Sequence, residues 1–300
     1  MTLGYDKSLF ILAFDHRGSF QKTFFGVQGE PTAEETARII DAKRLIFEGA
    51  LKAFEQGVSG AGILVDEQFG SDVVRDAKTN GITVCIPVER SGQNEFDFEY
   101  GEDGFAAHIT GMNPDFSKVL VRYNPDGDGA MNARQTLRLK TLGDWLHANG
   151  RKFLFELLVP AEPHQLETVG GDAARYDTEV RPALMRTAIS ELQQAGVEPD
   201  VWKIEGLDQR ADCEAISDQC RIGGRDGVVC VVLGRGADDA AVDLWLRTGS
   251  GVPGYVGFAI GRSIWWEPLK GFVAGSTARD AAAAAIAANY QRFVKVYSGA

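Results

Sequence analysis

Short apolar runs alternate with amphipathic segments along the whole chain. The apolar runs, rich in Val, Ile, Leu and Phe, predict eight strands at 9–15, 62–67, 83–88, 118–123, 152–159, 200–205, 228–233 and 255–260. The segments between them have helical spacing and predict helices at about 33–57, 71–80, 104–112, 131–149, 174–196, 209–221, 237–248 and 261–274, with an Ala-rich helix at about 279–297 closing the chain.

Strands that are apolar throughout and separated by helices indicate a parallel sheet covered on its outside. Eight such units are the number that closes a (β/α)8 TIM barrel. A doubly wound open sheet is the alternative, but no Gly-rich dinucleotide fingerprint follows the first strand. No linker or shift in composition divides the chain, so we expect one α/β barrel domain over residues 1–300. The polar, Gly-containing segment 89–103 predicts a long loop over the site.

The charge balance narrows the choice of partner. The chain has 42 Asp and Glu residues against 31 Lys and Arg, a formal net charge of −11. A surface of that sign repels nucleic acid and anionic membranes. We therefore expect a small-molecule substrate, and a phosphorylated one would need arginines placed locally. Homo-oligomerisation is left open, because no surface stripe marks an interface.

Several absences in the sequence predict a cytoplasmic protein without metal or cofactor. The four cysteines, Cys85, Cys213, Cys220 and Cys230, form no CxxC pair. The N-terminus lacks the pattern of a signal peptide, and no apolar run approaches the roughly 18 residues of a membrane helix. The histidines, His16, His108, His147 and His164, are scattered without metal-ligand spacing.

Charged residues inside two neighbouring strands suggest a catalytic pair. In the strand predicted at 200–205, the period of two places Trp202 and Ile204 on the outer face. Lys203 and Glu205 then lie on the inner face. The same reasoning turns Glu156 inward on the preceding strand. An amine confined among apolar walls loses its proton more easily and becomes a nucleophile toward a carbonyl carbon, and an adjacent carboxylate can shuttle protons. A buried structural ion network is the alternative.

Other polar residues are expected at the carboxyl ends of the strands, where barrel active sites lie. Asp15 on the first strand and Arg122 on the fourth also face inward by the period of two. His16 and Arg17 follow Asp15, and Asp66-Glu67 ends the second strand. We expect all of these, together with Glu205, to contact the substrate. The residues at 15–17 and 66–67 could bind its hydroxyls, although polar residues at strand ends also serve as helix caps.

Two Gly-Arg turns end the last two strands. Gly234-Arg235 follows the seventh strand and Gly261-Arg262 follows the eighth. In barrels these two loops commonly form a phosphate site, because glycine lets backbone N–H groups approach the anion and arginine supplies charge. Tight turns with arginines that reach solvent are the alternative.

Three motifs carry a resemblance to a known family. They are ILAFDHR at 11–17, VWKIE at 201–205 and GFAIGRSIW at 257–265. They resemble the C-terminal, DUF2090-type domain of bacterial two-domain inositol-catabolism proteins, which is assigned as a 2-deoxy-5-keto-gluconate 6-phosphate aldolase. More distantly, the chain is similar to class I tagatose-bisphosphate and sulfofructose-phosphate aldolases.

The resemblance implies a role for each matching residue. It implies that Lys203 forms an imine with the substrate, that Glu156 handles protons and that Asp15 contacts the substrate. It implies that the two Gly-Arg turns hold phosphate. It also places Arg122 where the tagatose-bisphosphate enzymes have a lysine, and His16 where they often have glutamine, so the substrate stays open.

Three functions are consistent with these patterns. The first is a Schiff-base aldolase that cleaves 2-deoxy-5-keto-gluconate 6-phosphate to dihydroxyacetone phosphate and malonate semialdehyde. The second is an aldolase for a tagatose- or sulfofructose-type phosphate. The third, from another class, is a non-catalytic sugar-phosphate-binding partner of a separate sugar kinase. The inward pair of Lys203 and Glu156 disfavours the third, because binding alone requires no nucleophile.

Overall fold

Eight parallel strands close into a barrel in the computed structural model, which describes residues 2–299. The strands follow one another around the ring in chain order. They are β1 Leu9–Ala13, β2 Ala61–Leu64, β3 Thr83–Pro87, β4 Phe116–Arg122, β5 Lys152–Leu158, β6 Val201–Glu205, β7 Val229–Leu233 and β8 Tyr255–Ile260. The expected TIM barrel is therefore confirmed, and the open sheet is excluded, because β8 pairs with β1.

Helices surround the barrel. They are α1 Gly18–Phe25, α2 Ala33–Glu55, α3 Glu67–Thr79, α4 Gly101–Met112, α5 Gly129–Ala148, α6 Pro163–Thr168, α7 Ala173–Arg175, α8 Arg181–Gln194, α9 Arg210–Arg221, α10 Asp239–Gly249, α11 Arg262–Val273 and α12 Arg279–Ser298. Within residues 2–299, no helix combines the length and the apolar character needed to cross a bilayer.

Apolar side chains pack in two layers because the strands are buried on both faces. The outer layer lies between strands and helices and includes Trp202, Ile204, Phe153 and Phe155. The inner layer fills the barrel and consists of Leu9, Ile11, Ala13, Leu64, Cys85, Phe116, Leu154, Val201, Val229, Val231 and Ala259. The faces predicted for β1, β5 and β6 are thus confirmed.

A buried carboxylate fixes the amino end of the barrel. Asp200, just before β6, accepts hydrogen bonds from the backbone N–H groups of Gly4 and Phe153, both at 2.8 Å. Lys152 Nζ lies 3.1 Å from the same carboxylate. The chain start is thereby tied to β5 and β6, away from the carboxyl ends of the strands.

Three helical features were not expected from the sequence. Helices α1 and α6 are short and follow β1 and β5 directly. The helix expected at 174–196 contains a π-helical turn at Tyr176–Val180 between α7 and α8. Such turns are common at functional sites, and this one brings Asp177 within 2.6 Å of Arg235 at the end of β7.

Candidate active site

A cavity of about 710 Å³ opens at the carboxyl ends of the strands, a size that suits a small-molecule ligand. Its walls come from the ends of the strands and the loops that follow them. Lys203 and Glu156 lie at its base, while Arg122 and Arg262 line its sides.

Lys203 and Glu156 are direct neighbours in the barrel. Their Cα atoms are register partners across β5 and β6, and Lys203 Nζ lies 2.9 Å from Glu156 Oε2. Lys203 is 3% exposed and Glu156 is 5% exposed. The structure therefore places the amine in a poorly hydrated pocket with a carboxylate beside it.

A second lysine, Lys118 on β4, was missed by the sequence reasoning. Its Nζ lies 2.9 Å from Asp15, 2.7 Å from Glu89 and 3.0 Å from the same Oε2 atom of Glu156 that contacts Lys203. We call Asp15, Glu89, Lys118, Glu156 and Lys203 the charge cluster. Glu89, at the end of β3, was also missed.

The charge cluster sets the protonation of its members. Burial by itself raises the pKa of each carboxyl group, but Lys118 and Lys203 outweigh burial and lower the pKa of Asp15 and of Glu156. At Glu89 burial prevails, and its pKa is raised. Burial would lower the pKa of Lys118, but the three carboxylates hold it well above its ordinary value. Lys118 is thus a fixed positive charge, whereas Lys203 contacts a single carboxylate that it shares.

His16 lies beside the charge cluster as a neutral imidazole. Burial lowers its pKa to about 4, even though the Asp15 carboxylate opposes the change, and Lys43 and Arg262 lower the pKa further. Its ring packs edge-on against Trp265, with centroids 5.8 Å apart, and Nδ1 is buried without a hydrogen-bond partner in residues 2–299. His16 is therefore available to donate or accept a single hydrogen bond in the cavity.

Arg17 fixes the loop that follows β3. Its Nη1 donates to Glu99 Oε2 at 2.7 Å and its Nη2 donates to the backbone oxygen of Glu89 at 2.7 Å. The segment between these residues closes on itself through an antiparallel bridge between Glu89 and Phe98. Segment 89–103 thus lies against the cavity, as expected, although α4 already begins at Gly101. Arg17 lines the cavity while both of these nitrogens hold the loop.

The turn after β8 is shaped for close approach. A Cβ atom on Gly261 would lie 2.4 Å from the backbone oxygen of Ala13, so this position requires glycine. Arg262 is the first residue of α11 and lies in the cavity wall. Unpaired N–H groups of the first helical turn and this guanidinium make the turn suitable for an anion.

The turn after β7 differs from the expected one. Arg235 has a positive φ of 49° and is neutralised, since it lies 3.0 Å from Glu205 and 2.6 Å from Asp177. Helix α10 does not open at this turn, because it begins at Asp239 after the N-cap Asp238. Gly234 also lines the cavity. Arg235 therefore lies close to Arg262 but already has carboxylate partners.

Arg122 lies higher in the cavity than the charge cluster. Its Nη1 donates to the backbone oxygen of Gln93 at 2.8 Å. Arg122 faces inward, as expected, but the β4 side chain that contacts Glu156 is Lys118, four residues earlier on the same face.

The structure does not bring Asp66 and Glu67 into the cavity. Asp66 is buried in an ion pair with Lys43 and caps α3 by accepting from Phe69 N at 2.8 Å. Glu67 lies 3.0 Å from His108 Nδ1 on α4. The alternative role as a helix cap thus describes Asp66, and we withdraw both residues from the candidate substrate contacts.

The site offers an amine, three carboxylates and two cavity arginines that could meet an anion. Among residues 2–299, no group of three or more His, Cys, Asp or Glu side chains is arranged to hold a metal ion. The Asp15, Glu89 and Glu156 carboxylates converge on an ammonium group instead.

Three of the solved structures that share this fold cover most of this chain. Cgl0159 from Corynebacterium glutamicum is 18% identical with a TM-score of 0.56, over 95% of this chain and 88% of that one. A fructose-bisphosphate aldolase from Slackia heliotrinireducens is 15% identical with a TM-score of 0.58, over 97% and 86%. A Schiff base-forming fructose-1,6-bisphosphate aldolase is 13% identical with a TM-score of 0.56, over 94% and 93%. Identities this low show a common fold.

Sequence comparison gives two further results. No curated protein sequence matches the chain significantly. A family model matches residues 4–300, and the protein therefore belongs to the family described as an uncharacterized protein conserved in bacteria (DUF2090).

Proposed function

We propose that this protein is a class I aldolase that cleaves a phosphorylated keto sugar acid through a Schiff base on Lys203. One observation carries the proposal. The amine of Lys203 is buried at the base of the cavity, 2.9 Å from the Glu156 carboxylate. The names of two proteins that share its fold, a fructose-bisphosphate aldolase and a Schiff base-forming one, support the same chemistry.

Lys118 and Lys203 have different roles in this mechanism. Three carboxylates keep Lys118 charged, so it serves as an electrostatic anchor and not as a nucleophile. Lys203 gives up a proton through Glu156 and attacks the ketone carbon, which forms a carbinolamine. Loss of water, with Glu156 donating the proton, leaves a protonated imine.

The imine then accepts the electron pair of the bond to be broken. A carboxylate takes the proton of the hydroxyl group on the far carbon of that bond, the carbon–carbon bond breaks, and that carbon leaves as an aldehyde. The remaining enamine takes a proton at carbon, and water hydrolyses the imine to release the ketone product and the free amine. Asp15 suits the hydroxyl contact, because Lys118 keeps it ionised.

We propose 2-deoxy-5-keto-gluconate 6-phosphate as the substrate, with dihydroxyacetone phosphate and malonate semialdehyde as products. The fold relationship to fructose-bisphosphate aldolases favours, as a second candidate, a ketose phosphate of the tagatose or sulfofructose type. Rates on these three classes of sugar phosphate separate the candidates. We expect the enzyme to act in the cytoplasm, without a cofactor or metal, and we expect activity to survive chelation.

Borohydride reduction in the presence of dihydroxyacetone phosphate tests the proposal. We expect a stable adduct on the peptide that contains Lys203 and none in Lys203→Met, as read by mass spectrometry. Lys140→Met removes an exposed lysine on α5 that is paired with Asp144, and this control variant should be labelled like the wild type. Ligand binding without an adduct would favour the non-catalytic sugar-phosphate-binding alternative, and an adduct on Lys118 would refute our division of the two amines.

A further inference from the structure

A third buried lysine lies behind the cavity wall. Lys43 on α2 is 0% exposed. The rings of Phe20 and Phe69 flank its ammonium group, with centroids 5.3 and 5.6 Å from Nζ. Lys43 does not line the cavity, so it has no direct contact with a ligand bound there. An ammonium group removed from water in this way needs specific partners.

Three oxygen atoms bind this ammonium group. Nζ donates to the backbone oxygens of Phe14 and His16, both at 3.0 Å, and to the carboxylate of Asp66. Asp66 is itself fixed, because it caps α3. A buried ion pair alone is weak evidence for stability, since apolar side chains of similar volume often replace one without loss. Apolar side chains could not bind the two backbone oxygens, however.

The two backbone oxygens lie on either side of Asp15. The hydrogen bonds that tie β1 to β2 end with the bond from Phe14 N to the backbone oxygen of Leu64 at 2.8 Å, so Asp15 lies beyond the sheet. Its carboxylate extends into the cavity, where Lys118 Nζ lies 2.9 Å away. Two lysines therefore hold this residue, since Lys43 binds the backbone on both sides of it and Lys118 binds the carboxylate.

We propose that Lys43, fixed by Asp66, is a positioning residue that holds the Asp15 carboxylate in place in the cavity. The inference rests on the proposed function in one respect, because it takes Asp15 as the group that accepts the hydroxyl proton during carbon–carbon cleavage. A displacement of about 1 Å caused by a substitution far from the reacting atoms can slow a reaction by about 100-fold. Lys203 and Glu156 lie on β5 and β6 and have no contact with Lys43.

The ratio of two rates separates positioning from stability. Cleavage of the sugar phosphate that the wild type cleaves fastest uses Asp15. Solvent deuterium exchange into dihydroxyacetone phosphate uses Lys203 and Glu156, because this ketone lacks the hydroxyl group that leaves with the aldehyde. We expect Lys43→Met to slow cleavage by at least about 30-fold and exchange by less than about threefold. A loss of folded protein would lower both rates by the same factor.

Two further variants complete the comparison. Lys152→Met removes a lysine with the same kind of contacts at the amino end of the barrel, since Lys152 Nζ binds Asp200 at 3.1 Å and the backbone oxygen of Gly4 at 2.6 Å. It should leave the ratio of the two rates unchanged. Asp66→Asn keeps an oxygen that can cap α3 but removes the charge that fixes Lys43. It should slow cleavage about 5-fold more than exchange, and it decides the question if Lys43→Met does not fold.

Amide hydrogen exchange, followed by mass spectrometry, tests the hold on Asp15 without any substrate. Local loosening speeds exchange in one segment, whereas global destabilisation speeds it throughout the protected core. We expect the peptide over residues 14–18 to exchange at least about 10-fold faster in Lys43→Met than in the wild type, and the peptide over β5 to change by less than about threefold.

Three results would overturn the inference. They are an equal loss of both rates in Lys43→Met, a shift of the same size in the ratio for Lys152→Met, and unchanged amide exchange over 14–18 in Lys43→Met. Failure of the proposed function has a different signature, since borohydride would then trap no adduct on Lys203 in the wild type. Amide exchange would still show whether Lys43 holds Asp15.

Discussion

Replacing Lys118 with methionine should reverse the pH dependence of stability. Methionine has nearly the same length but no charge, so Asp15, whose side chain is 14% exposed, and the buried Glu89 both lose their ammonium partner. Breaking a buried ion pair by removing one partner costs about 3–5 kcal/mol. We expect a loss of that size in the free energy of unfolding at pH 8.

The sign follows from the protonation of the carboxyl groups. In the wild type the pKa values of Asp15 and Glu156 are lowered. Their contribution to stability is present above the unfolded values near 4, and it is lost as the pH falls through the lowered values. Without Lys118, burial dominates and raises the pKa of Asp15, as it already does for Glu89. The variant should then lose stability as the pH rises above about 4.

Urea unfolding followed by tryptophan fluorescence measures both curves, since Trp202 and Trp265 are buried. The difference between wild type and Lys118→Met should shrink from about 3–5 kcal/mol at pH 8 to about 1–2 kcal/mol at pH 5. Lys140→Met, at an exposed pair, should change stability by less than about 1 kcal/mol at both pH values. A Lys118→Met loss that is equal at pH 5 and pH 8, or below 1 kcal/mol at pH 8, would refute the assignment of Lys118 as the anchor of the charge cluster.

Three further predictions concern the same end of the barrel. Glu156→Gln should slow solvent deuterium exchange into dihydroxyacetone phosphate by about 100-fold or more, measured by NMR, because in the proposed mechanism Glu156 moves protons beside Lys203. Unchanged exchange would exclude this role for Glu156. The wild type should lose on the order of 1–2 kcal/mol of stability as the pH falls from 6.5 to about 4, because His16 is protonated in the unfolded chain before it is protonated in the folded one. His16→Gln should remove this loss. Identical melting curves for the two proteins across this pH range would contradict a neutral His16. Gly261→Ala should reduce the free energy of unfolding by about 2–3 kcal/mol and so lower the melting temperature, because its Cβ would meet the Ala13 oxygen. Gly111→Ala, in open space on α4, should instead stabilise the protein by about 0.5–1 kcal/mol. Equal effects of the two substitutions would show that the turn after β8 relaxes freely.

The period of two predicted the inward faces of β5 and β6, and with them the contact between Lys203 and Glu156. It worked because these strands are buried on both sides, so that a charged residue has to face the cavity. Lys118 was not predicted as a site residue because the expected strand began at Lys118 itself, whereas β4 begins at Phe116. The period of two does place Lys118 on the inward face, because Lys118 shares that face with Leu120 and Arg122.

Residues at the carboxyl ends of strands were harder to assign. Glu89 shares the parity of Cys85 and Pro87 on β3, but it also begins a polar segment, and such a segment predicts a loop. Asp66 lies three residues before Phe69, which is the spacing of a helix cap, and its contact with Lys43 on α2 is a tertiary contact that local patterns do not contain. The carboxylate partners of Arg235 depend on the π-helical turn, which no periodicity predicted.

The inner layer of apolar side chains limits how protons can reach the charge cluster. Side chains such as Ile11, Leu154 and Val201 fill the space below the charge cluster and offer no polar atoms there. In the proposed mechanism, a proton that Glu156 takes up or releases therefore has to pass through the cavity mouth, along the same route as the ligand. A ligand that fills this route blocks proton exchange between the charge cluster and solvent, so that protons then move only between the ligand and the residues that contact it.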